Sequence, residues 1–468
     1  MSSQRSAPAR NAMEASALIA REAASAYARV AGNRISAAGF CADILHCAET
    51  LPEAEHVLNL CLDRYQFSVG FFAALVRGQI NLLPTQRDTP SVNALRREFS
   101  NVSVLCDRSY QRSAEPMVAD HLIEQTPGAQ GTASSPVLPG SATAAIAFTS
   151  GSTGKPQAHR KPWGLFDQGR KAHAKLLSEI SQPRSGAVSG LVATVPCWHM
   201  YGLEWALLLP TVAPLEVFCG NDFFPRDVSA ALAEYNEPAS AKVLVSTPVH
   251  LKALLKTPAT PPVTVTVSAT APLNQTTAKA VEQHLQTRLL EVYGCSEVGS
   301  LASRATARQT SWQFFSEFEH ALTAQTMTIQ TPWLPQPVAL GDDFAPAADN
   351  RYELLGRAGD IVKVAGKRAS LAHLNHVVQG ITGVEDAAFY QPEQLGLADS
   401  GRLGLLLVAP GLTLAALKRE LAQHLDRAFM PRPVYQVDAL PREPSSKLPR
   451  AALAALVLQL RAANVESS

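Results

Sequence analysis

Several patterns that would assign this chain to a familiar protein class are missing from its sequence. Its seven cysteines are scattered and include no Cys-x-x-Cys pair, which argues against a disulfide framework or a zinc site and fits a reducing cytosol. No apolar run approaches the roughly 18 residues that a membrane span requires. The formal charge is only +1, and no Lys/Arg tract stands out as a nucleic-acid contact. We therefore expect a cytoplasmic protein with no membrane span and no nucleic-acid partner.

Length and composition indicate a globular protein of more than one domain. The 468 residues are too many for one compact core, and a hydrophobic content of 46% allows sizeable cores to form. Residues 1–10 are predicted to be a disordered tail. The first 13 residues contain arginine and no acidic residue, so a transit peptide is the alternative interpretation. We found no internal repeats.

The order of apolar and polar segments predicts an α/β fold followed by a smaller α+β domain. Alanine-rich helix formers predict a helix over 12–31. Beyond it, helices and short strands alternate, with strands at 80–83 and 102–106, which is typical of parallel sheets with crossover helices. After Arg357 the pattern of apolar and polar segments changes to that of a compact α+β domain. We place a hinge at 357–360, with Gly359 as its flexible residue.

The segment 148–158 has the composition of a phosphate-binding loop. Glycines let backbone N–H groups approach a phosphate, hydroxyls donate to its oxygens, and a lysine adds a mobile positive charge. A Ser/Gly-rich surface turn is the competing interpretation. The P-loop of NTPases is excluded, because Pro156 follows Gly154 and Lys155, and Thr149 stands where that motif needs its first glycine.

Further motifs follow this loop in a fixed order. They lie at 196–202, 268–273, 291–297, 341–342 with 352–357, and 441–450. Together with the loop at 149–158, this set resembles the adenylate-forming superfamily, which includes acyl-CoA synthetases, aryl-acid ligases and luciferases. The match runs from Thr149 to Arg450 and so covers most of the chain.

The resemblance implies an architecture and a reaction. The large AMP-binding domain spans 11–356 and has mostly parallel sheets with crossover helices, and a small α+β domain at 361–468 carries a catalytic lysine. The reaction joins a carboxylate to the α-phosphate of ATP, releases pyrophosphate and passes the acyl group to a thiol. ATP and Mg²⁺ are the implied cofactors. Two anions about 4 Å apart repel by about 4 kcal/mol at an effective dielectric near 20, so a cation is needed between them.

Four residues match the catalytic positions of the superfamily. Lys447 corresponds to the lysine that provides this cation, and a solvent-exposed lysine in a polar turn is the alternative. Glu297 corresponds to the Mg²⁺ ligand, with a helix N-terminal acid as its alternative. Ser296 is expected to donate to the α-phosphate, and His199 to gate the carboxylate pocket.

The nucleotide contacts are transferred in the same way, motif by motif. The residues implied are Thr149, Ser150, Gly151, Ser152, Thr153, Gly154 and Lys155 for the β- and γ-phosphates, Ala269, Thr270, Ala271 and Tyr293 for adenine, Gly294 for the nucleotide, Asp342 for ribose, and Arg357 for ribose or phosphate. A core tyrosine is the alternative role for Tyr293. Because Asp343 follows Asp342, the position of the ribose acid stays open by one residue.

The acid and the acceptor are less well defined. By register from His199, the acid pocket is implied to contain Trp198, Tyr201, Glu204 and Trp205. The bulk of Trp205 favours a benzoate-sized or short acid over a long chain, unless this indole faces the core. The chain resembles stand-alone ligases of aryl-polyene and xanthomonadin-type pathways, which load an aryl acid onto an acyl carrier protein. An acyl-CoA synthetase that uses coenzyme A with a fatty or aryl acid is the alternative, followed by a non-catalytic nucleotide-binding homologue.

The sequence departs from the superfamily at a few positions. Gly359 replaces the usual polar hinge residue, Ser446 replaces a glycine, Pro449 is atypical, and Ala269 stands where glycine is common. None of these changes removes a charged catalytic group. We therefore expect an active enzyme.

Overall fold

A computed structural model describes residues 15–113, 119–124, 127–128, 131–150, 156–181, 189–220, 224–235, 241–257, 260–357, 361–364, 367–395, 402–442 and 448–466. Contacts within the chain define two compact units. Unit 1 comprises Met1–Val245, Gly294–Leu301 and Gln330–Pro337. Unit 2 comprises Ser246–Tyr293, Ala302–Ile329 and Val338–Ser468.

The first part of the chain alternates strands and helices. Its strands are β1 (Ser16–Ala17), β2 (Ala26–Val30), β3 (Asn33–Ser36), β4 (His56–Asn59), β5 (Ile80–Leu83), β6 (Val102–Cys106), β7 (His121–Leu122), β8 (Val137–Leu138), β9 (Thr143–Ser150), β10 (Pro156–Pro162), β11 (Ser189–Ala193), β12 (Leu215–Phe218) and β13 (Lys242–Ser246). Its helices are α1 (Ala37–Thr50), α2 (Arg64–Val76), α3 (Thr89–Glu98), α4 (Arg108–Gln111), α5 (Trp163–Ser181), α6 (Met200–Gly202) and α7 (Pro225–Ala233), with a π-helical turn at Leu203–Leu208.

Two sheets organise unit 1. The first has the order β10-β9-β5-β4-β6-β7, in which only the pairing of β10 with β9 is antiparallel. In the second, β13, β11, β12 and β2 run parallel side by side, and β3 returns antiparallel to β2. Parallel strands are joined by helices that must cover the sheet faces. This arrangement confirms the predicted α/β class.

Serine and aspartate side chains fix where the first helices begin. Ser36 Oγ accepts from the Gly39 N–H at the start of α1, and Asp63 accepts from the Gln66 N–H at the start of α2. Such caps satisfy amide groups that have no partner within the helix. The helices they start place Phe40 and Phe72 in the core of unit 1.

The helix predicted over 12–31 is wrong for the residues that the structure describes. They form β1 and β2 instead, and the first helix begins only at Ala37. Strand β2 pairs with β12 and β3, Tyr27 and Ala28 are buried, and the Tyr27 ring stacks on Phe40 at 4.0 Å. Helix propensity is a weak preference for each residue, and these tertiary contacts override it.

The later part of the chain contains more antiparallel pairing. Its strands are β14 (Val265–Ser268), β15 (Arg288–Cys295), β16 (Gly299–Arg304), β17 (Gln313–Phe314), β18 (Glu319–Thr323), β19 (Thr326–Gln330), β20 (Val338–Ala347), β21 (Arg351–Arg357), β22 (Ile361–Val364), β23 (Lys367–Ser370), β24 (Asp386–Tyr390), β25 (Gly404–Val408) and β26 (Val434–Gln436). Its helices are α8 (Pro248–Leu254), α9 (Gln275–Leu285), α10 (Leu371–Gln379), α11 (Leu414–His424) and α12 (Arg450–Glu466).

Unit 2 combines parallel and antiparallel strands. Strands β14 and β15 are parallel, β19, β20 and β21 pair antiparallel, and β22 and β23 form a separate antiparallel pair. Strands β24, β25 and β26 form another sheet that packs with α10 and α11 around a core including Leu374, Leu405 and Leu417. Within the described part of the chain, no helix combines the length and apolar character needed to cross a bilayer.

Candidate functional site

The predicted phosphate loop connects the two strands of a hairpin. Strands β9 and β10 pair antiparallel, with Ser150 opposite Pro156 and Thr149 opposite Gln157. Strand β9 also runs parallel to β5, so the loop begins at the carboxyl end of a parallel strand, where open α/β sheets bind ligands. Gly151, Ser152, Thr153, Gly154 and Lys155 lie outside the described residues.

Strand β10 brings two basic side chains toward Glu297. His159 and Lys161 are two positions apart and therefore lie on the same face of the strand. Both interact electrostatically with Glu297. Lys161 is completely buried, and this burial lowers its pKa, while Cys295, Glu204 and Glu297 act in the opposite direction.

The turn after β15 has a glycine at each end, where the neighbouring atoms lie too close for a side chain. A Cβ atom on Gly294 would lie 2.5 Å from the Gly299 carbonyl oxygen. Gly299 itself has φ +128°, and a Cβ there would lie 2.0 Å from Glu204 Oε1. Side chains are therefore excluded at both ends of the turn that presents Ser296 and Glu297, both of which are half-buried.

Glu204 lies in the π-helical turn and anchors this region. One of its carboxylate oxygens, Oε2, accepts from the Ser300 N–H at 3.0 Å and from Ser300 Oγ at 2.5 Å. Burial raises the pKa of Glu204, while the Ser300 hydrogen bonds and the charge of Lys161 oppose that rise. Single π-helical turns are frequent at functional sites.

The other residues predicted for the acid pocket lie on the same segment as Glu204. Trp205 is completely buried, stacks on His173 at 4.4 Å between ring centroids, and donates from Nε1 to Ser300 Oγ. Trp198 is half-buried, with the Arg87 guanidinium 4.1 Å from its ring centroid. Tyr201 is buried. Ser300 thus joins Glu204 and Trp205 through hydrogen bonds.

The backbone at His199 sets the start of this segment. The His199 carbonyl accepts from the Leu203 N–H at 2.8 Å, which begins the helical turns that continue to Leu208. The rings of Trp198 and His199 lie 6.3 Å apart. A Cβ on Gly202 would lie 2.0 Å from the Pro196 carbonyl oxygen, so this position also excludes a side chain.

The His173 imidazole under Trp205 makes stability depend on pH. Burial lowers its pKa from 6.5 to about 3. Between these values His173 is protonated in the unfolded chain but neutral in the folded chain. Its contribution to the free energy of unfolding is therefore fully present above pH 6.5 and is lost as the pH falls toward 3. We expect His173→Phe, which retains a ring against Trp205, to reduce the slope of unfolding free energy against pH by about 1.4 kcal/mol per pH unit.

Urea denaturation between pH 4.5 and 6 measures this slope. The exposed His424 on α11 provides the control, because His424→Phe should leave the slope of the wild-type protein unchanged. Equal slopes for His173→Phe and the wild-type protein would contradict the prediction.

In unit 2, Tyr293 and Asp342 are in direct contact. Tyr293 Oη donates to Asp342 Oδ2 at 2.6 Å, and the tyrosine ring packs edge-on against Trp312 and Phe344. Asp342 lies opposite Arg357 in the pairing of β20 with β21. Of the two adjacent aspartates, Asp342 is therefore the one whose carboxylate meets Tyr293.

The strand end predicted to lie against adenine has unusual backbone geometry. Thr270 has φ +78°, a conformation that is a genuine outlier for a β-branched residue. Ser268 Oγ and Thr270 Oγ1 are buried and have no hydrogen-bond partner among the described residues. Ala269 is buried and Ala271 half-buried. Strained residues of this kind cluster at ligand sites, where surrounding structure holds them in place.

Glu291 fixes this strand end to β15. Its Oε1 accepts from the Leu273 N–H at 3.0 Å, and Oε2 accepts from Thr306 Oγ1 at 2.7 Å and pairs with Arg304. Glu291 begins the 291–297 motif, but the motif alone does not predict this structural role. The signal that could have found it is a charged residue within an apolar strand.

The remaining predicted residues are only partly described. Lys447 and Gly359 lie outside the described residues, and only the backbone of Arg357 is described. In the described ranges, no three His, Cys, Asp or Glu residues are grouped as a metal site would require.

Comparisons with known proteins agree with the motifs. The model of the AMP-binding enzyme family matches residues 37–317, more than half of the chain. A 4-coumarate–CoA ligase of Halorhodospira halophila is 25% identical over 233 residues, which cover 50% of this chain and 56% of the relative. An L-proline–[L-prolyl-carrier protein] ligase of Pseudomonas fluorescens is 35% identical over 121 residues, covering 25% of this chain and 24% of that protein. The chain thus spans about half or less of these two relatives.

The fold matches over nearly the whole chain. The ATP-bound structure of MatB from Rhodopseudomonas palustris has a TM-score of 0.73 and 18% identity, and the match covers 93% of this chain and 96% of that chain. At this identity the likeness supports the fold alone. The family match supplies the assignment that the fold cannot: this chain belongs to the AMP-binding enzyme family, and its resemblance to the adenylate-forming superfamily is confirmed.

Proposed function

We propose that the protein is an ATP-dependent acid–thiol ligase. It activates a small, aromatic carboxylic acid as an acyl-adenylate and transfers the acyl group to the phosphopantetheine thiol of an acyl carrier protein. The observation that carries the proposal is the hydrogen bond between Tyr293 and Asp342. It holds a carboxylate that can accept both ribose hydroxyls next to the ring predicted to contact adenine.

The proposed reaction has two steps. A carboxylate oxygen attacks the α-phosphorus of ATP, and the bond to pyrophosphate breaks. The thiolate then attacks the acyl carbon, and AMP leaves with the electron pair of the broken C–O bond. Lys447 offsets the repulsion between the two anions in the first step, and Ser296 donates to the α-phosphate.

Mg²⁺ fits the residues at the turn after β15. Glu297 offers a hard carboxylate oxygen in a half-buried position. Phosphate oxygens and water would be the other ligands of the ion. When bound, the ion would reduce the negative charge of the phosphates. On the protein, Lys161 and His159 both interact electrostatically with Glu297, and burial lowers the pKa of each.

The side chains predicted for the acid pocket and the names of relatives support the choice of acid and acceptor. Trp205 itself is completely buried against His173, as its core-facing alternative predicts, so the small acid is proposed from the half-buried Trp198 and the buried Tyr201 of the same segment. One relative is named for an aromatic acid and coenzyme A, and another for a carrier protein. Coenzyme A is the alternative acceptor, and an acyl-CoA synthetase the alternative enzyme.

Two assays test this function. ATP–pyrophosphate exchange with benzoates, cinnamates, short acids and palmitate should be fastest with a benzoate-sized acid. Faster exchange with palmitate would refute the pocket argument, and no exchange with any acid would refute adenylation. A thioester assay with coenzyme A and a carrier protein supplied separately should give more product on the carrier protein.

The two adjacent aspartates provide a matched pair for the nucleotide site. Asp342→Asn should raise the dissociation constant for ATP by about 10- to 100-fold, because a charge-assisted hydrogen bond contributes about 1.5–3 kcal/mol. Asp343→Asn, one residue further along β20, should change it less than threefold. Isothermal titration with ATP measures both constants. A larger increase in the dissociation constant for Asp343→Asn than for Asp342→Asn would assign the ribose contact to Asp343.

A further inference from the structure

Arg87 lies in the loop after β5, at the edge of the first sheet where the predicted phosphate loop begins. Its Nη2 donates to the Asn59 carbonyl at 2.9 Å and to the Cys61 carbonyl at 3.2 Å. Asn59 is the last residue of β4, and β4, β5 and β9 run parallel. The guanidinium is therefore tied to the carboxyl end of β4, on the edge where open α/β sheets bind ligands.

The ring of Trp198 is the other partner of this guanidinium. Arg87 Cζ lies 4.1 Å from the ring centroid of Trp198, within the range of about 6 Å for a cation–π interaction. Arg87 is half-buried, and burial lowers the pKa of its guanidinium to about 10, so the group stays charged at neutral pH. A cation–π interaction is stronger where water is excluded. The indole is therefore held by a cation that the sheet edge keeps in place.

The shape of a guanidinium allows both contacts at once. Nη2 carries two N–H groups, which match the two backbone carbonyls in number. The planar group can use these donors at its edge while it stacks on an aromatic ring through its face. A lysine ammonium is a point charge on a flexible stem, so it cannot make both contacts in one fixed geometry.

Trp198 has a second support that does not depend on Arg87. Its ring lies 6.1 Å from the ring of Phe67, a completely buried residue of α2. The Trp198 side chain is half-buried, so part of it stays accessible beside His199, which the superfamily resemblance assigns to the carboxylate pocket. Loss of the cation would thus loosen the indole while the contact with Phe67 remains.

We propose that Arg87 is a positioning residue that fixes Trp198 as one wall of the acid pocket. Arg87 acts through the indole and does not contact the acid. When a wall is already in place, binding of the acid does not have to order it, and the acid binds more tightly. This inference rests on the proposed function and adds to its acid pocket a residue that lies outside the sequence motifs.

ATP–pyrophosphate exchange with the best acid of the panel tests Arg87→Met, which removes the charge and keeps an unbranched side chain. The KM for the acid should rise about tenfold, the size expected for loss of a desolvated cation–π contact. The kcat and the KM for ATP should change less than about threefold, because the indole binds the ground state and the transition state alike. Arg87→Lys should restore part of the affinity. Arg77→Met, an exposed position at the end of α2, should keep all three wild-type constants.

A double variant shows whether Arg87 acts through Trp198. Trp198→Leu alone should raise the KM for the acid, and adding Arg87→Met should raise it no further. Independent effects of the two substitutions, or an unchanged KM in Arg87→Met, would overturn the proposal. Binding of ATP with the wild-type dissociation constant shows that a variant is folded. If Arg87→Met does not fold, Arg87→Lys takes its place, and a wild-type KM in that variant would overturn the proposal.

Direct binding distinguishes failure of this proposal from failure of the proposed function. If the wild-type protein exchanges pyrophosphate with no acid, the dissociation constant of benzoate from isothermal titration replaces the KM. Binding to Arg87→Met that is about tenfold weaker would then support the positioning role although adenylation fails. A wild-type protein that binds no benzoate would refute the small-acid pocket and the positioning role together.

Discussion

Replacing Lys447 by alanine is expected to slow adenylation by about a hundredfold or more. The step brings a carboxylate against an anionic phosphate, and two unit charges about 4 Å apart repel by about 4 kcal/mol at an effective dielectric near 20. A cation placed where charge develops is typically worth two to three orders of magnitude in rate. ATP–pyrophosphate exchange measures this half-reaction.

The second half-reaction distinguishes a catalytic lysine from a structural one. Transfer of the acyl group from supplied acyl-adenylate to the thiol needs no cation between acid and ATP, so Lys447→Ala should retain it. Lys418, exposed on α11, provides the control, because Lys418→Ala should keep both rates. Equal loss of adenylation and transfer in Lys447→Ala would contradict the proposed role.

Local sequence pattern was sufficient for much of the fold. The apolar segments at 80–83 and 102–106 predict β5 and β6 with the bounds that the structure has. Both strands are short and mostly apolar, and they are followed by Pro84 and Asp107. The helix predicted over 12–31 failed because β2 is stabilised by pairing with β12, a strand that follows almost two hundred residues later. Such long-range pairing leaves no mark in a local window.

In the candidate site, too, local sequence identifies single residues, whereas their contacts depend on the tertiary fold. Short motifs identified Tyr293 and Asp342 one by one, but their hydrogen bond depends on how β15 and β20 fold back within unit 2. Lys161 was missed because a lysine on a strand next to a polar loop resembles an exposed residue. Its surroundings are tertiary, because Glu204 and Glu297, which interact electrostatically with it, come from other segments of unit 1.

Glu204→Ala is the structural change for which we expect the largest effect on stability. The substitution removes the acceptor of two donors, the Ser300 N–H and Ser300 Oγ, and a carboxylate that interacts electrostatically with the buried Lys161 ammonium. A buried donor left without an acceptor typically costs about 1–3 kcal/mol, so we expect a total of about 2–6 kcal/mol. Urea denaturation followed by tryptophan fluorescence should show a decrease of this size in the free energy of unfolding, since Trp205 lies beside the changed position.

Two matched substitutions separate charge from hydrogen bonding. Glu204→Gln removes the charge but keeps an oxygen that can accept from Ser300, so its loss of stability should be smaller than that of Glu204→Ala. Glu53→Ala removes an exposed carboxylate and should change stability by less than about 0.5 kcal/mol. If Glu204→Ala were no more destabilising than Glu53→Ala, the buried Lys161 ammonium would not be stabilised by Glu204. The buried ammonium would then need another counter-charge, and Glu297 is the remaining carboxylate among those that interact with it.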